Sequence, residues 1–161
     1  YDKDGTIKKY ETVYQIIDDH YYTRLSLYSQ RKEYQLNLLE KDIQLLESKM
    51  RFIQYVIDEK IIVYKQSKSS IIEKLRDFEF LFFENNEIHD YDEKVEVKGQ
   101  YNYLLNLSIY NFTLEKLDEL KNDIDTKKEE HNKLKDMDIK DIWKNELDLF
   151  EEKYNEWLKK K

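Results

Sequence analysis

Leu36-Asn37-Leu38-Leu39-Glu40-Lys41-Asp42-Ile43-Gln44-Leu45-Leu46-Glu47-Ser48-Lys49-Met50-Arg51-Phe52-Ile53-Gln54-Tyr55-Val56-Ile57 is the stretch that decides the fold. Within it Leu36, Leu39, Ile43, Leu46, Met50, Ile53 and Ile57 follow one another at alternating spacings of three and four, which is the seam of a coiled coil. With 40% of residues hydrophobic, seven apolar residues in seven chosen places would arise by chance roughly twice per thousand trials for one register, or about once in a hundred when all registers are allowed. Neither Gly nor Pro interrupts Glu11 to Asp58. At about 1.5 Å per residue the predicted helix is roughly 70 Å long, several times an ordinary globular helix, and something must lie along it.

Upstream, Val13, Ile17, Tyr21, Leu25 and Tyr28 form a looser stripe, and Lys32 breaks the register before the seam begins. Such a shift marks a change of partner along the helix and a point of flexing. Arg24, Arg31 and Lys32 beside the stripe read as surface charges whose stems cover apolar neighbours. The lead-in Tyr1 to Tyr10 is extended, with a turn at Asp4-Gly5.

Downstream the period changes. Ile61-Ile62-Val63-Tyr64 reads as a short strand, and Ser67 or Ser69 caps a short helix carrying Ile71, Ile72, Leu75 and Phe78. Phe80-Leu81-Phe82-Phe83 must be buried or form an interface. Glu84, Glu87, Asp90, Asp92 and Glu93, with no Lys or Arg among them, read as a solvated acidic loop 84–93. Asp90-Tyr91-Asp92 lacks the third ligand at a fixed offset that a metal site needs. Val95-Glu96-Val97 reads as a second strand, pairing with Ile61 to Tyr64. Thr113 caps a new helix whose seam runs through Leu117, Leu120, Ile124, His131 and Leu134, with Lys127 as its polar interruption. After a break at Met137-Asp138, a last helix carries Trp143, Leu147, Phe150, Tyr154 and Trp157 at spacings of four, three, four and three. The chain goes out, forms a tip and returns.

The expected fold is therefore mainly α, a long antiparallel two-part coiled coil with a small globular α/β tip. Residues 1–58 make the lead-in and outgoing helix, 59–112 the tip and 113–161 the returning helices. Composition agrees: of 161 residues 39% are charged and none is Pro or Ala, which suits elongated helices with narrow buried seams.

Composition also bounds function. Absence of Cys excludes disulfides, thiolate zinc sites and thiol nucleophiles. No apolar run approaches the about 20 residues that span a bilayer, so no membrane role is expected. A formal net charge of −7 opposes tight binding to nucleic acid, so the chain itself is not expected to be a strong DNA binder. His20, His89 and His131 share no metal-ligand spacing, and there is no P-loop or nucleophile elbow. Nothing here reads as catalytic, cofactor-binding or metal-binding. The missing initiator Met suggests a piece of a longer protein.

Two separated blocks resemble a known family. Lys8-Lys9-Tyr10, Val13, Ile16-Ile17, Tyr21-Tyr22, Arg24-Leu25, Tyr28, Arg31-Lys32 and Arg51-Phe52-Ile53 resemble the coiled-coil entry of eukaryotic-type type IIA DNA topoisomerases (DNA topoisomerase II). Tyr101, Tyr103-Leu104-Leu105, Ile109, Thr113, Glu115, Asp141-Ile142-Trp143, Leu147 and Phe150 resemble that family's return from its C-terminal exit gate, the C-gate. The resemblance runs from about Gly5 to Trp157 and is weakest through Phe80 to Gln100. Departures are His20 for the usual Phe, Leu107 for Met, Tyr110 for Trp and Glu146 for Asp.

The resemblance implies an arm and exit gate of an ATP-dependent isomerase. That enzyme changes DNA topology by passing one duplex through another, cleaved with a tyrosine and magnesium, in the nucleus and in chromosome segregation. The family's cleaving tyrosine follows an arginine, and no Arg-Tyr pair occurs here. Magnesium and ATP would belong to the full-length enzyme. Two arms are expected to meet as a homodimer through Tyr101, Tyr103, Leu104, Leu105, Leu107 and Ile109, with Phe82 and Phe83, as an apolar patch with a polar rim, the alternative being that these residues only fill the tip's own core. The competing reading is an antiparallel coiled-coil scaffold with a dimerising hinge in a chromosome-organising ATPase, which leaves the two motif blocks unexplained.

Overall fold

A computed structural model describes residues 1–2, 4–84, 87–89 and 101–160. The chain is mainly helical: α1 is Val13–Ile57, α2 Lys68–Asp77, α3 Asn102–Leu105, α4 Leu114–Asp136 and α5 Ile139–Leu158, with a hairpin of β1 Phe82–Glu84 and β2 Glu87–His89 and a 3-10 turn at Ile109–Asn111. Two compact units divide it, one of Tyr1–Asn37 with Asn132–Lys161, the other of Leu38–His131. The division follows packing, not chain order, so each unit takes a piece of both α1 and α4.

In the unit of residues 38–131, α1 and α4 are bridged by His131 to Glu40 at 3.0 Å, Lys127 to Asp42 at 2.8 Å and Lys128 to Glu47 at 2.6 Å. The first of these acids on α1, Glu40, meets the last of the partners on α4, His131, as antiparallel order requires. Ile43 and Ile53 of the predicted seam are buried, as are Leu120 and Ile124 opposite, and Leu36, Leu39, Leu46, Met50 and Ile57 are half-buried. Lys127 thus interrupts its stripe by reaching an acid on α1.

The core of this unit gathers Phe52, Ile61, Ile71, Leu75, Phe80, Phe82, Tyr101 and Leu104. Phe52 meets Phe80 edge-on at 6.1 Å and Phe112 at 6.0 Å, a geometry that places ring edges against ring faces. α2 starts where Ser67 accepts from the Ser70 N–H at 3.2 Å and buries Ile71 and Leu75. It ends at Glu79, whose φ of 52° is left-handed. There the Phe80 N–H donates to the Leu75 carbonyl at 2.9 Å and the Glu79 N–H to that of Arg76 at 2.8 Å, a Schellman closure without glycine. Arg51 supports this turn, donating to the carbonyls of Phe78 and Glu79 at 3.2 and 2.9 Å with its guanidinium over the Phe80 ring.

Two expectations are corrected here. Ile61 to Tyr64 is not a strand. Glu59 takes a φ of 58° at the end of α1, and the Ile61 N–H turns back to the Tyr55 carbonyl at 3.0 Å, so the β-branched run becomes a connection that buries Ile61. The hairpin lies later, with Phe82 opposite His89, Phe83 opposite Ile88 and Glu84 opposite Glu87, inside what reads as the acidic loop. Asp90-Tyr91-Asp92 and Val95-Glu96-Val97 fall outside the described residues.

In the unit of residues 1–37 and 132–161, Asp2 caps the turn whose Gly5 has a φ of 77°, accepting from the Thr6 N–H at 2.9 Å. α1 starts with Thr12 accepting from the Gln15 N–H at 3.4 Å. α5 starts with Asp138 accepting from the Lys140 N–H at 2.7 Å; in the unit of residues 38–131, α4 starts with Thr113 accepting from the Lys116 N–H at 3.2 Å.

α5 is held at its first turns. Trp143 stacks on Tyr21 at 5.4 Å and on Tyr28 at 5.6 Å. Tyr28, buried, donates its hydroxyl to Glu146, which also accepts from Arg31. Lys32 donates to the carbonyls of Lys135 and Met137 at 2.8 and 2.6 Å, where α4 ends and its last carbonyls lack helical partners. Lys32 is therefore a bonded anchor of the break at Met137 and Arg31 of α5 at Glu146, not bare surface charges. Further along the predicted seam, Leu147, Phe150, Tyr154 and Trp157 are exposed, as are Val13 and Ile17, and Tyr154 stacks on Phe150 at 6.0 Å and on Trp157 at 5.8 Å along α5 itself.

Candidate dimer interface

The core of residues 38–131 sorts the predicted interface residues into three sets, buried, half-buried and exposed. Phe82, Tyr101 and Leu104 are only 4%, 1% and 1% exposed. They have almost no surface to give to a partner and are corrected to core residues. Tyr101 donates its hydroxyl to the Phe80 carbonyl at 3.2 Å, tying α3 to the turn after α2. Phe83, Tyr103, Leu105 and Leu107 are half-buried; the last three pack against the core, and Phe83 lies 5.2 Å from the Tyr103 ring.

Tyr103 is fixed by a relay. Its hydroxyl donates to the Leu81 carbonyl at 2.6 Å, leaving the Ser48 hydroxyl at 2.7 Å to donate to it. Burial pushes the Tyr103 phenol up to about 12, and the Ser48 hydrogen bond pulls the other way. A raised phenol pKa means that the neutral, folded form is favoured. The corresponding stability is complete below the ordinary value near 10 and is lost as pH rises from there toward about 12. Alkaline titration followed by circular dichroism is expected to show a loss of stability in that window, which Tyr103→Phe flattens.

Ile109 behaves differently from the rest. It and Tyr110 are 79% and 84% exposed, on the 3-10 turn between α3 and α4. The turn is held by Asn111, whose side-chain amide donates to the Ser108 hydroxyl at 3.0 Å and carbonyl at 3.3 Å, and by the Phe112 N–H donating to the Ile109 carbonyl at 3.2 Å. Phe112 points into the core. Local hydrogen bonding and one buried ring thus present two large apolar side chains to solvent. Tyr110 has no periodic signal of its own in the sequence; only the packing of its neighbours shows that none of the described residues covers it.

An open groove of about 770 Å³ between α1 and α4 is lined by the apolar Met50, Tyr55, Leu114 and Leu117 and by the polar Glu47, Arg51, Gln54, Asp118 and Lys121. Leu114, the first residue of α4, is itself exposed.

His131 is engaged by Glu40, and among the described residues no group of three or more His, Asp or Glu side chains could hold a metal ion. Among the described residues no helix is long and apolar enough to cross a membrane.

Comparison with known proteins gives a consistent answer. The family described as the A subunit of DNA gyrase/topoisomerase IV matches residues 1–148. The DNA topoisomerase 2 of Acanthamoeba polyphaga mimivirus is 34% identical over 160 residues, covering 96% of this chain and 12% of that protein. That of Saccharomyces cerevisiae is 28% identical over 195 residues, covering 99% of this chain and 14% of that protein. Among solved structures, the DNA-binding, cleavage and re-ligation domain of Plasmodium falciparum topoisomerase II superposes with a TM-score of 0.80 at 25% identity, covering 94% of this chain and 22% of that one. The chain thus spans about an eighth of the length of the first two relatives.

Proposed function

The chain belongs to the DNA gyrase/topoisomerase IV family, and from that premise we propose that it is the coiled-coil arm and C-terminal exit gate of a type II DNA topoisomerase. In this reading α1 and α4 form the stiff arm, and the surface around the 3-10 turn at Ile109–Asn111 meets its copy in a homodimer. The contact opens to release the transported duplex. Cleavage, with its tyrosine and magnesium, and ATP hydrolysis belong to parts of the enzyme beyond these residues. Nuclear action in chromosome segregation is part of the same proposal.

One observation carries the gate reading. Ile109 and Tyr110 are large, apolar and uncovered, on a turn fixed by its own hydrogen bonds. A gate needs a contact that is apolar enough to close yet small enough to open. Two exposed side chains on a preformed turn meet that need, since little ordering entropy is lost when they bind.

Sedimentation equilibrium of the 161-residue chain over a wide concentration range tests it. A reversible dimer is expected, and Ile109→Asp with Tyr110→Asp is expected to weaken it by about a hundredfold or more while leaving the circular dichroism unchanged, because neither residue supports the core. A monomer at every concentration, or a dimer indifferent to both substitutions, would count against the proposal.

A further inference from the structure

We infer that the break between α4 and α5 is a two-state joint: Lys32 and Asp138 hold it open, and when they withdraw α4 and α5 run on as one helix from Leu114 to Leu158, with α5 swung off α1. The joint lies within the unit of residues 1–37 and 132–161, and its behaviour is independent of the gate reading.

No helix breaker causes the break. From Leu114 to Leu158 there is neither Gly nor Pro, the residues that ordinarily stop a helix. α4 ends at Asp136, α5 begins at Ile139, and between them Asp138 has an extended backbone, with φ −67° and ψ 145°. Side chains take the hydrogen bonds that a continuous helix would make here. An α-helix pairs each N–H with the carbonyl four residues back, so the Lys135 carbonyl would receive the Ile139 N–H and the Met137 carbonyl the Asp141 N–H. Those two carbonyls are occupied by the half-buried Lys32 ammonium, at 2.8 and 2.6 Å. The Lys140 N–H, which would go to the Asp136 carbonyl, goes to the Asp138 side chain at 2.7 Å. Two side chains thus block three of the four bonds that joining would close.

Two sets of interactions compete for the same residues. The joined helix gains backbone bonds. The open state keeps two bonds from a charged donor, one cap, the stacking of Trp143 on Tyr21 and Tyr28, and the pairing of Glu146 with Arg31 and Tyr28. They exclude each other. Turning ψ of Asp138 from 145° to a helical value near −42° rotates α5 by about half a turn around one bond, which takes Trp143 and Glu146 off their partners on α1. Mutually exclusive bonding at a single residue makes a switch, not a graded bend, and its balance is set from α1 by one ammonium group.

The Cα chemical shift of position 138 in the 161-residue chain, taken against that residue's own random-coil value, reads the two states directly as extended or helical. Lys32→Met keeps the stem and removes the donor, and Asp138→Ala removes the cap at an exposed position. Each is expected to move the shift toward the helical value, and both together further. Hydrogen exchange of the Ile139 and Asp141 amides is expected to slow by about tenfold or more in the double variant, as they gain the Lys135 and Met137 carbonyls. In a Trp157→Phe background the emission of Trp143 is expected to move to the red as its ring leaves Tyr21 and Tyr28. A position 138 that stays extended in the double variant overturns the inference. So do amides at 139 and 141 that exchange faster while Trp143 is freed, the mark of a joint that only frays. Should Lys32→Met unfold the unit, Asp138→Ala alone decides by the same readouts.

Discussion

Leu104→Asp is expected to unfold the unit of residues 38–131 rather than merely to separate two protomers. Leu104 is 1% exposed and packs in the core formed with Phe52, Ile61, Leu75, Phe80 and Tyr101. Removing a buried Leu side chain costs about 2–5 kcal/mol in transfer and cavity terms. A carboxylate in the same place adds a desolvation cost that none of these core side chains compensates with a positive charge, so the total reaches the order of a whole domain's stability, about 5–15 kcal/mol. Urea unfolding followed by circular dichroism is the check: Leu104→Ala should shift the midpoint markedly, and Leu104→Asp should leave no native baseline. A folded Leu104→Asp would show that the α3 region is not part of the core. The consequence is practical. A substitution at Leu104 reports on folding, and the dimer contact has to be probed at Ile109 and Tyr110, whose side chains lie outside that core.

Tyr28→Ala is the second substitution with a large expected effect, in the unit of residues 1–37 and 132–161. Tyr28 is buried, stacks on Trp143, lies beside the guanidinium groups of Arg24 and Arg31 at 5.2 and 5.1 Å, and donates its hydroxyl to Glu146. Truncation removes the ring from all of these at once, and a loss of about 3–4 kcal/mol is expected for a buried aromatic side chain. Tyr28→Phe keeps the ring and loses one hydrogen bond to a charged acceptor, for which about 1–2 kcal/mol is expected. Arg31 first, and Tyr28 second, hold the Glu146 carboxyl below its ordinary value. The sign follows: this contribution is present above the ordinary carboxylate range and is lost as pH falls through and below it, so Tyr28→Phe should lessen the acid sensitivity of the unit. Fluorescence of Trp143 in a Trp157→Phe background reads the environment of the stack directly. An unchanged emission maximum in Tyr28→Ala would refute the account.

What could be read from the residues alone was whatever repeats or punctuates. The seam from Leu36 to Ile57 and its counterpart through Leu117, Leu120 and Ile124 recur at three and four, and a helix can bury such a stripe in only one way. Ser67, Thr113 and Asp138 each precede an apolar run and cap the helices that follow, because a polar side chain at that place satisfies a backbone donor which nothing else reaches. These are local matters, decided within one or two turns of chain.

What the residues alone left open depends on groups far apart in sequence. Ile61 to Tyr64 has the composition of a strand but meets no ladder partner among the described residues, since the left-handed turn at Glu59 sends the Ile61 N–H back to α1. Arg31 and Lys32 look like surface charges until Glu146 and the carbonyls at the end of α4, more than a hundred residues later, come within reach. The apolar run from Tyr101 to Tyr110 is uniform to the eye, yet packing buries Tyr101 and Leu104 and leaves Ile109 and Tyr110 in water. Composition determines that such a segment must hide apolar surface; which residues hide inside the protomer and which are left for a partner is decided only when the core fills, because a core has room for a limited volume and the remainder must stay outside.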